Sequence, residues 1–403
     1  MTRFAKTRWF IVSHLSSCPG GARTYLHNLL DFLEYNGVNT VDLLLSPGYT
    51  EFKHVSSGLS VNSIKTWIEV NGKLPVPSAL TKWVIAVSIA THIVKYSSQE
   101  CGFVFSSSDP CAILLIPFML KKNVIVVMHS CFDERAIRHS TITALLGKTF
   151  RQLVYHLFCQ NSSRLIVAVS PFLSGFYSRL FSLSSSMQYI YPPLRSDATM
   201  SSSDSCSNLI ETLGGSFVCL TVGAAEVYKG ICHWYRVAAH ALTLARRDAR
   251  PIFFVWVGEG SSRQHIQKLI DQNDEQKNGL LFLDYTDSNG LQSVYSYASM
   301  YMQPSLRETF GLSALEAMKW GLPLMLARNT GLESLLTRDH DNGFLVDVVD
   351  SAIHSNALLI YELARNNELQ HSMGQNSKLF YQSRFSKRRW LQTMKRTFSA
   401  VVD

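Results

Sequence analysis

The chain has 403 residues and contains no run of about eighteen uncharged apolar residues, the length that a membrane-spanning helix needs. The apolar stretch near the N-terminus, in MTRFAKTRWFIVSHL, is short and no small-residue cleavage site follows it, so it predicts a first strand rather than a signal peptide. The eight cysteines form no CxxC pair and have no histidines at metal-binding spacing. Several lie in apolar runs, as Cys219 does in SFVCLTVG, which indicates reduced packing residues in a cytoplasmic protein.

The sequence also lacks the marks of a nucleic-acid-binding protein. Its formal net charge is +8, and a basic balance favours an anionic partner. However, the basic residues are dispersed, with neither zinc-finger spacing nor a basic stripe interleaved with aromatic residues. No nucleic acid is therefore expected as a partner, whereas a phosphorylated substrate or an anionic membrane surface fits the charge.

One predicted helix, from about Thr141 to Gln160, bears on the membrane alternative. Its apolar residues fall on one stripe, with Lys148 and Arg151 elsewhere on its circumference. This pattern favours a helix that packs on a core, and it also fits a helix lying on an anionic membrane. The expected location is cytoplasmic, with peripheral association at the inner membrane surface as the alternative.

The first half of the chain alternates apolar strands with helical stretches. The predicted strands are Trp9–Leu15, Val41–Leu45, Gly102–Ser106, Asn123–His129, Leu165–Ser170 and Met187–Tyr191. Continuous apolar strands separated by helices predict a parallel sheet covered on both faces. The serine-rich run Thr199–Asn208 interrupts the alternation and is interpreted as a linker or loop.

After this run the alternation restarts with SFVCLTVG, PIFFVWVG, LLFLDY, SMYMQPS and LPLMLAR. The expected fold class is therefore α/β, with two Rossmann-like domains whose parallel sheets face each other across a central cleft. Ligands bind such sheets at the carboxyl ends of the strands. The predicted domains are residues 1–197 and 198–384, and a last helix from about Lys387 to Val401 lies in the segment 385–403.

The most specific pattern is RETFGLSALEAMKWGLP, from Arg307 to Pro323. The preceding SMYMQPS predicts a short strand that runs into a loop, and the good helix formers after Gly311 predict a helix from about Leu312. The free backbone N–H groups of Leu312 and Ser313 at the start of this helix favour an anion such as a phosphate.

Two carboxylates flank this turn, Glu308 on the loop and Glu316 about one turn inside the helix. The break at Gly311 lets the loop glutamate fold back over the helix start. The alternative is that Glu308 is a solvated loop charge and Glu316 an exposed helix residue in an ion pair. The surrounding strand, Pro-Ser loop and glycine turn favour a site that holds a phosphorylated sugar.

This segment resembles the E-x7-E motif of retaining glycosyltransferases with the GT-B fold, in particular glycosyltransferase family 4. The matching residues are Pro304, Ser305, Glu308, Phe310, Gly311, Glu316 and Ala317. The resemblance implies a nucleoside-diphosphate-sugar donor, with sugar hydroxyls on Glu308 and ribose hydroxyls on Glu316. It implies donor-binding roles for Phe310 and Gly311 as well, and a final helix that crosses back to the first domain.

Two glycine-containing segments resemble further parts of such a donor site. Gly20 and Gly21 follow the first strand and open a helix, where paired glycines let the backbone approach a ligand closely. A plain tight turn explains them equally well without the resemblance. Gly223 ends a strand, and Lys229 with Gly230 begins a helix, where the lysine would neutralise the donor diphosphate. Its alternative is a solvated surface lysine.

His129, at the end of NVIVVMHS, completes the candidate site. A lone histidine there is more often a packing or surface residue, but the resemblance implies contact with the sugar near its reactive carbon. Two residues depart from the family pattern. Ala224 stands where an arginine is usual, so either Arg307 or Arg328 substitutes or phosphate stabilisation is weaker. Asp284 stands where a glycine usually lines the base pocket.

The reading that these features favour is retaining transfer of a sugar to an acceptor hydroxyl in glycan, polysaccharide or glycolipid assembly. The acceptor is expected to be a glycan, a glycolipid or a small molecule. Glu308, Lys229 and His129 are the predicted catalytic residues. No metal and no cofactor are expected, because Lys229 and the helix N-terminus would stabilise the departing diphosphate in place of a metal ion.

Two alternatives remain open at this stage. One is an NAD-dependent dehydrogenase, but its nearest fingerprint, GEGSSR at Gly258, has Arg263 in place of the third glycine. The other is a degenerate GT-B module that binds a sugar nucleotide or a partner without turnover. Ala224 and Asp284 motivate this second alternative.

Overall fold

The computed structural model describes residues 8–13, 21–45, 59–64, 101–106, 123–129, 164–180, 187–194, 213–246, 251–284 and 288–402. Backbone contacts divide the chain into two compact units, Met1–Arg195 with Lys387–Asp403, and Ser196–Ser386. Within the described ranges, no helix combines the length and the apolar character needed to cross a membrane. The predicted helix Thr141–Gln160 and the serine-rich run Thr199–Asn208 lie outside the described residues.

The first unit contains a six-stranded parallel sheet in the order β3-β2-β1-β4-β5-β6. Its strands are β1 Arg8–Ser13, β2 Thr40–Leu45, β3 Ser60–Ile64, β4 Cys101–Ser106, β5 Asn123–Met128 and β6 Arg164–Ala168. Its described helices are α1 Gly21–Tyr35, α2 Pro171–Leu180 and the last helix of the chain. Apolar runs such as NVIVVM form internal strands, because both faces of the sheet are buried.

Two details of this sheet differ from the sequence-based expectation. Met187–Tyr191 was predicted as a strand but makes only a single bridge, between Tyr189 and Ala168. Its polar Gln188 and exposed Tyr189 do not fit a sheet buried on both faces. Conversely, β3 was not predicted, because SVNSI carries too few apolar residues to stand out.

The last helix, α10 Lys387–Val402, packs within the first unit. The Trp390 ring meets the Phe32 ring edge to face, with their centroids 6.0 Å apart. Phe398 lies against Trp9, with the ring centroids 5.1 Å apart. Lys387 Nζ pairs with the Asp31 carboxylate at 3.0 Å. These contacts bury large aromatic rings, which stabilises the packing of α10 in this unit.

The second unit contains another six-stranded parallel sheet, in the order β12-β11-β10-β7-β8-β9. Its strands are β7 Phe217–Val222, β8 Ile252–Val257, β9 Leu280–Leu283, β10 Met300–Gln303, β11 Leu324–Ala327 and β12 Gly343–Val346. Its described helices are α3 Ile231–Ala245, α4 Arg263–Asp271, α5 Asp274–Lys277, α6 Ser288–Tyr297, α7 Leu312–Lys319, α8 Ile353–Arg365 and α9 Asn367–Arg384. Of these strands, only the short edge strand β12 was not predicted.

The core of this unit lies between the sheet and its helices. Trp234 of α3 and Trp256 of β8 are buried edge to face, with their ring centroids 5.5 Å apart. Cys219 is fully buried with a free thiol, as expected for a packing residue. The strand order reverses direction between β7 and β10, and such a reversal opens a crevice at the carboxyl ends of the two strands.

Candidate functional site

The loops that follow β7 and β10 are joined by backbone hydrogen bonds. Residues Val227–Lys229 form a 3-10 turn after β7. The carbonyl oxygen of Tyr228 in this turn accepts hydrogen bonds from the backbone N–H of Leu306 at 2.9 Å and of Arg307 at 3.3 Å. The two loops at the strand-order reversal are therefore held in a fixed register.

Gly230 makes this contact sterically feasible. It has a φ of 81°, in the left-handed region that favours glycine, and a Cβ atom there would lie 1.8 Å from the carbonyl oxygen of Pro304. Lys229 closes the 3-10 turn, and α3 begins one residue after Gly230, at Ile231. The predicted helix start is therefore correct to within two residues, and the close approach brings Lys229 beside the loop that carries Glu308.

Lys229 and Glu308 form an ion pair at the centre of the site. Lys229 Nζ donates to Glu308 Oε2 at 2.6 Å, and the two side chains are 23% and 14% exposed. Gln303 Nε2 also donates to Oε2, at 3.0 Å, and the backbone N–H of Thr309 donates to Oε1 at 3.0 Å. Glu308 is thus a positioned, largely buried acceptor, which excludes the alternative of a solvated loop charge.

The turn after Glu308 leads directly into α7. Gly311 precedes the helix with a φ of 92° and provides no side-chain cap, so α7 begins at Leu312 as predicted. The carbonyl oxygen of Glu308 accepts from the backbone N–H of Gly331 at 2.8 Å, which fixes the turn from a neighbouring segment. Helix N-termini without a side-chain cap present N–H groups and a partial positive charge to an anion.

Phe310 has a different environment from the other residues of the turn. Its side chain is only 3% exposed, and its ring centroid lies 6.0 Å from that of Phe385. The ring therefore anchors the turn in the core, so that the predicted donor-binding role of this residue would fall to its backbone.

Glu316 lies one turn inside α7 and is half-buried. Its Oε2 accepts a hydrogen bond from the Tyr295 hydroxyl of α6 at 3.1 Å. Burial raises the pKa of the Glu316 carboxyl to about 7, against the opposing effects of the Tyr295 hydrogen bond and the Lys319 charge. Glu316 is therefore not the exposed, ion-paired helix residue of the alternative reading.

A polar network connects the two carboxylates. The Tyr301 hydroxyl lies 2.8 Å from Ser313 Oγ and 3.2 Å from Gln303 Oε1. Gln303 is bonded to Glu308, while the Ser313 carbonyl oxygen accepts from the Tyr295 hydroxyl at 2.8 Å. The end of β10, the start of α7 and α6 thus form one connected arrangement, which prepositions Glu308 and Glu316.

The loop after β7 departs from the family pattern at Ala224. Gly223 just before it has a φ of 153° and donates its N–H to the Val257 carbonyl at 3.0 Å. Of the two proposed substitutes for the missing arginine, Arg328 Nε pairs with Asp347 at 3.4 Å, and Arg307 is exposed on the loop next to Glu308.

Asp284, the second departure from the family pattern, pairs with a cation. Its carboxylate accepts from Arg263 Nη1 at 2.6 Å, and the Arg263 guanidinium lies 5.3 Å from the centroid of the Phe282 ring. Arg263, which interrupts the dinucleotide fingerprint, begins α4. The chain therefore places an ion pair, instead of a glycine, at the carboxyl ends of β8 and β9.

In the first unit, Gly21 begins α1, and Gly20 lies outside the described residues. His129 directly follows β5 and meets the Tyr25 ring edge to face, with the ring centroids 4.7 Å apart. Burial lowers the pKa of His129 to about 4, so the imidazole is neutral at pH 7. A neutral imidazole contacts a ligand through hydrogen bonds and not through charge.

Among the residues that the structure describes, no three histidine, cysteine, aspartate or glutamate side chains form a group able to hold a metal ion. Three members of the site were not predicted from the sequence: Gln303, Tyr295 and Tyr301. Gln303 had a usable signal, because a glutamine at the end of an otherwise apolar strand, just before Pro304, points to a functional contact. The two tyrosines had no such signal in the sequence, because buried tyrosines in helices and strands are usually packing residues.

Solved structures share this architecture over nearly the whole chain. HepE from Anabaena, in complex with UDP, gives a TM-score of 0.69 over 98% of this chain and 100% of that one, at 16% identity. Sucrose-phosphate synthase from Thermosynechococcus elongatus gives a TM-score of 0.70 over 98% of each chain, at 18% identity. The chain therefore shares the fold of these proteins, which is the GT-B fold that the sequence predicted.

The sequence comparisons match part of the chain to a known family. Residues 210–380 match the family described as glycosyl transferases group 1. The uncharacterized glycosyltransferase MJ1607 of Methanocaldococcus jannaschii is 30% identical over 120 residues, which is 30% of this chain and 29% of that protein. D-inositol 3-phosphate glycosyltransferase of Corynebacterium efficiens is 35% identical over 96 residues, 24% of this chain and 22% of that protein. The matches thus span less than a third of these curated relatives.

Proposed function

We propose that the protein transfers a sugar from a nucleoside-diphosphate sugar to an acceptor hydroxyl, with retention of the anomeric configuration and without a metal ion. The observation that carries the proposal is the half-buried pair of Lys229 and Glu308 beside the uncapped start of α7. It brings together a cation from the loop after β7, and a carboxylate and an anion-binding helix terminus from the segment after β10.

Donor binding would exchange the partners of this ion pair. A diphosphate at the start of α7 attracts the Lys229 ammonium, because two negative phosphates outweigh one carboxylate. Glu308 Oε2 then loses its strongest donor and becomes available to sugar hydroxyls, still oriented by Gln303 and by the Thr309 N–H. The chain thus keeps both groups neutralised until the donor arrives.

Glu316 is proposed to accept the ribose hydroxyls. Its Oε1 accepts no hydrogen bond from any described residue, so this oxygen is available to a ligand while Tyr295 holds Oε2. With a pKa of about 7, the carboxyl is about half ionised at pH 7 and fully ionised at alkaline pH. Donor affinity is accordingly expected to rise as the pH rises through 7.

For the chemical step, Lys229 and the N–H groups of Leu312 and Ser313 would stabilise the charge that grows on the departing diphosphate. Within the described part of the second unit, Glu308 is the carboxylate positioned for the sugar, and Glu316 is assigned to the ribose. We propose that the acceptor hydroxyl attacks the sugar on the face that the diphosphate leaves, which retains the anomeric configuration. A diphosphate oxygen takes the proton of this hydroxyl. The double displacement of retaining glycosidases is therefore not the proposed route. His129, as a neutral imidazole, is proposed to contact the sugar near its reactive carbon.

The ligands in solved structures of similar fold suggest a class of donor, but they suggest no acceptor. HepE structures contain UDP and UDP-glucose, which supports a uridine donor here as the first candidate. The proposed acceptor is a glycan, a glycolipid or a small molecule with a free hydroxyl. Cytoplasmic location, peripheral association with an anionic membrane and the absence of a nucleic-acid partner are further parts of this proposal.

The test is turnover of α-linked UDP-, GDP- and ADP-sugars, followed by proton NMR of the anomeric signals. We expect one donor to release nucleoside diphosphate, slowly in water and faster with hydroxyl acceptors, and to give an α-configured product without added metal. A Glu308→Gln variant, which keeps the size of the side chain, should lose this turnover. A β-configured product contradicts retention, and donor binding without any release supports the binding-module alternative.

A further inference from the structure

Tyr295 stands out among the buried polar groups to which the proposed mechanism gives no task. Its side chain is 2% exposed, and its hydroxyl lies between two acceptors on α7, the Ser313 carbonyl oxygen at 2.8 Å and Glu316 Oε2 at 3.1 Å. The hydroxyl has a single proton and can donate to one of them at a time.

The two acceptors are not equivalent. The Ser313 carbonyl lies in the first turn of α7, where the helical pattern gives it the backbone N–H of Ala317 as a partner. Glu316 Oε2 has no other donor among the described residues, and a hydrogen bond to an ionised carboxylate is stronger than one to a carbonyl. The Tyr295 proton is therefore directed to Glu316 when Glu316 is ionised, and to Ser313 when it is protonated.

We propose that Tyr295 is a positioning residue, which fixes the orientation of the Glu316 carboxylate and favours the ionised form that accepts donor hydroxyls. This inference rests on the proposed function, in which Glu316 binds the donor. According to this inference, a residue of α6 helps to set the pH range in which the site binds the donor, although α6 contains no recognised motif.

The other ionisable groups around Glu316 do not duplicate this contact. Lys319, one turn further along α7, lowers the pKa of Glu316 less than the Tyr295 hydrogen bond does. On β10, the Tyr301 hydroxyl is bonded to Ser313 Oγ. The carboxylate of Glu333 accepts from the backbone N–H of Asn329, and Lys378 of α9 packs near Gly321 at the far end of α7. Strand β11 carries no ionisable side chain.

The test compares Tyr295→Phe with Tyr301→Phe. Both variants remove one hydroxyl from a fully buried tyrosine next to Ser313, but only the first removes a hydrogen bond to Glu316. Calorimetric titrations with UDP-glucose at several pH values between about 5.5 and 9 give the donor affinity as a function of pH. The midpoint is the pH at which half of the rise in affinity has occurred. GDP-glucose and ADP-glucose are the second probes. A sugar nucleotide is preferable to UDP, whose terminal phosphate titrates near pH 6.

We expect Tyr295→Phe to move the midpoint upward by about one pH unit, the size of one hydrogen bond to a charged group. At pH 9 its affinity should return to within a few-fold of the wild type. Tyr301→Phe removes a hydroxyl of the same polar network, so its affinity can change, but its midpoint should stay at the wild-type pH. Site-specific replacement of Tyr295 by 3-fluorotyrosine changes the size of the side chain little and makes its hydroxyl a stronger donor, so the midpoint should move downward.

Three outcomes overturn the inference. An unmoved midpoint in Tyr295→Phe, with wild-type binding intact, overturns it and leaves the proposed function standing. Equal shifts in the two phenylalanine variants indicate a general packing effect. If none of the three sugar nucleotides binds the wild type at any pH, the proposed function fails, and the inference fails with it.

Discussion

Replacing Lys229 by alanine is expected to lower kcat/KM for the sugar-nucleotide donor by about 100- to 1000-fold, the usual cost of removing one preorganised group that stabilises transition-state charge. The loss should be mainly in kcat, because the charge on the leaving diphosphate is largest in the transition state. The variant also leaves Glu308, 14% exposed, without its cationic partner, which adds repulsion between this carboxylate and the diphosphate.

Lys268→Ala is the matched control for charge. Lys268 is an exposed lysine of α4 in the same unit, so its removal changes the net charge equally without touching the site. Steady-state kinetics with the preferred donor should show activity within about two-fold of the wild type for this control. Near-equal effects of the two substitutions would show that Lys229 acts only through the overall charge.

Glu316→Gln is expected to stabilise the protein at pH 8 and to weaken donor binding at the same time. The folded-state pKa of Glu316, about 7, lies above its ordinary value of 4.5. Between these two values the folded state holds a proton that the unfolded state releases, so stability falls as the pH rises through this window. At pH 8 the ionised carboxylate costs roughly 3 kcal/mol, which the neutral glutamine removes.

The measurement is urea unfolding of wild type and Glu316→Gln at pH 4.5 and pH 8. The gain in unfolding free energy should appear at pH 8 and be small at pH 4.5, where Glu316 is largely protonated in the folded state. Glu362→Gln, which removes an exposed carboxylate of α8, is the control and should show no such gain. A Glu316→Gln variant that is less stable than the wild type at pH 8 would contradict the assigned pKa.

The loss of donor affinity in the same variant separates function from stability. Glutamine keeps the length of the side chain and an oxygen that can accept from Tyr295, but it cannot offer two charged acceptors. A buried carboxylate that lowers stability at neutral pH is a common feature of functional sites. Unchanged donor affinity in Glu316→Gln would remove Glu316 from the site.

Most of both sheets was predictable because their strands are long apolar runs separated by helical segments. NVIVVM and IFFVWV show this directly, and both become buried strands with a partner on each side. The failures lie at the periphery. The edge strand β3, SVNSI, is too polar to be recognised as a strand. The segment Met187–Tyr191 contains apolar residues that suggested a strand, but it forms only one bridge. Edge strands depend on tertiary pairing more than on their own composition.

The candidate site was predictable where its geometry is local. The start of α7 at Leu312 follows from Gly311 and the helix formers after it, all within a few residues. The contact between Lys229 and Glu308 joins residues 79 apart in the chain. It depends on the fit of Gly230 against Pro304, which no local pattern encodes.

The pairing of Tyr295 with Glu316 was not predictable for a related reason. It depends on how α6 packs beside α7, which sequence periodicity does not specify. Phe310 is the opposite case, because the sequence suggested a role that its side chain does not have. Its place in the motif suggested contact with the ligand, whereas in the structure its ring packs on Phe385.

A thermal-shift panel of UDP-, GDP- and ADP-sugars on wild type and Glu316→Ala tests most directly the claim that the end of β10 and the start of α7 bind a sugar nucleotide. We predict that at least one sugar nucleotide stabilises the wild type, by about 2.7 kcal/mol at a concentration one hundred times its Kd, and that Glu316→Ala responds much less. No stabilisation of the wild type by any sugar nucleotide, or an equal response of the variant, would contradict the account.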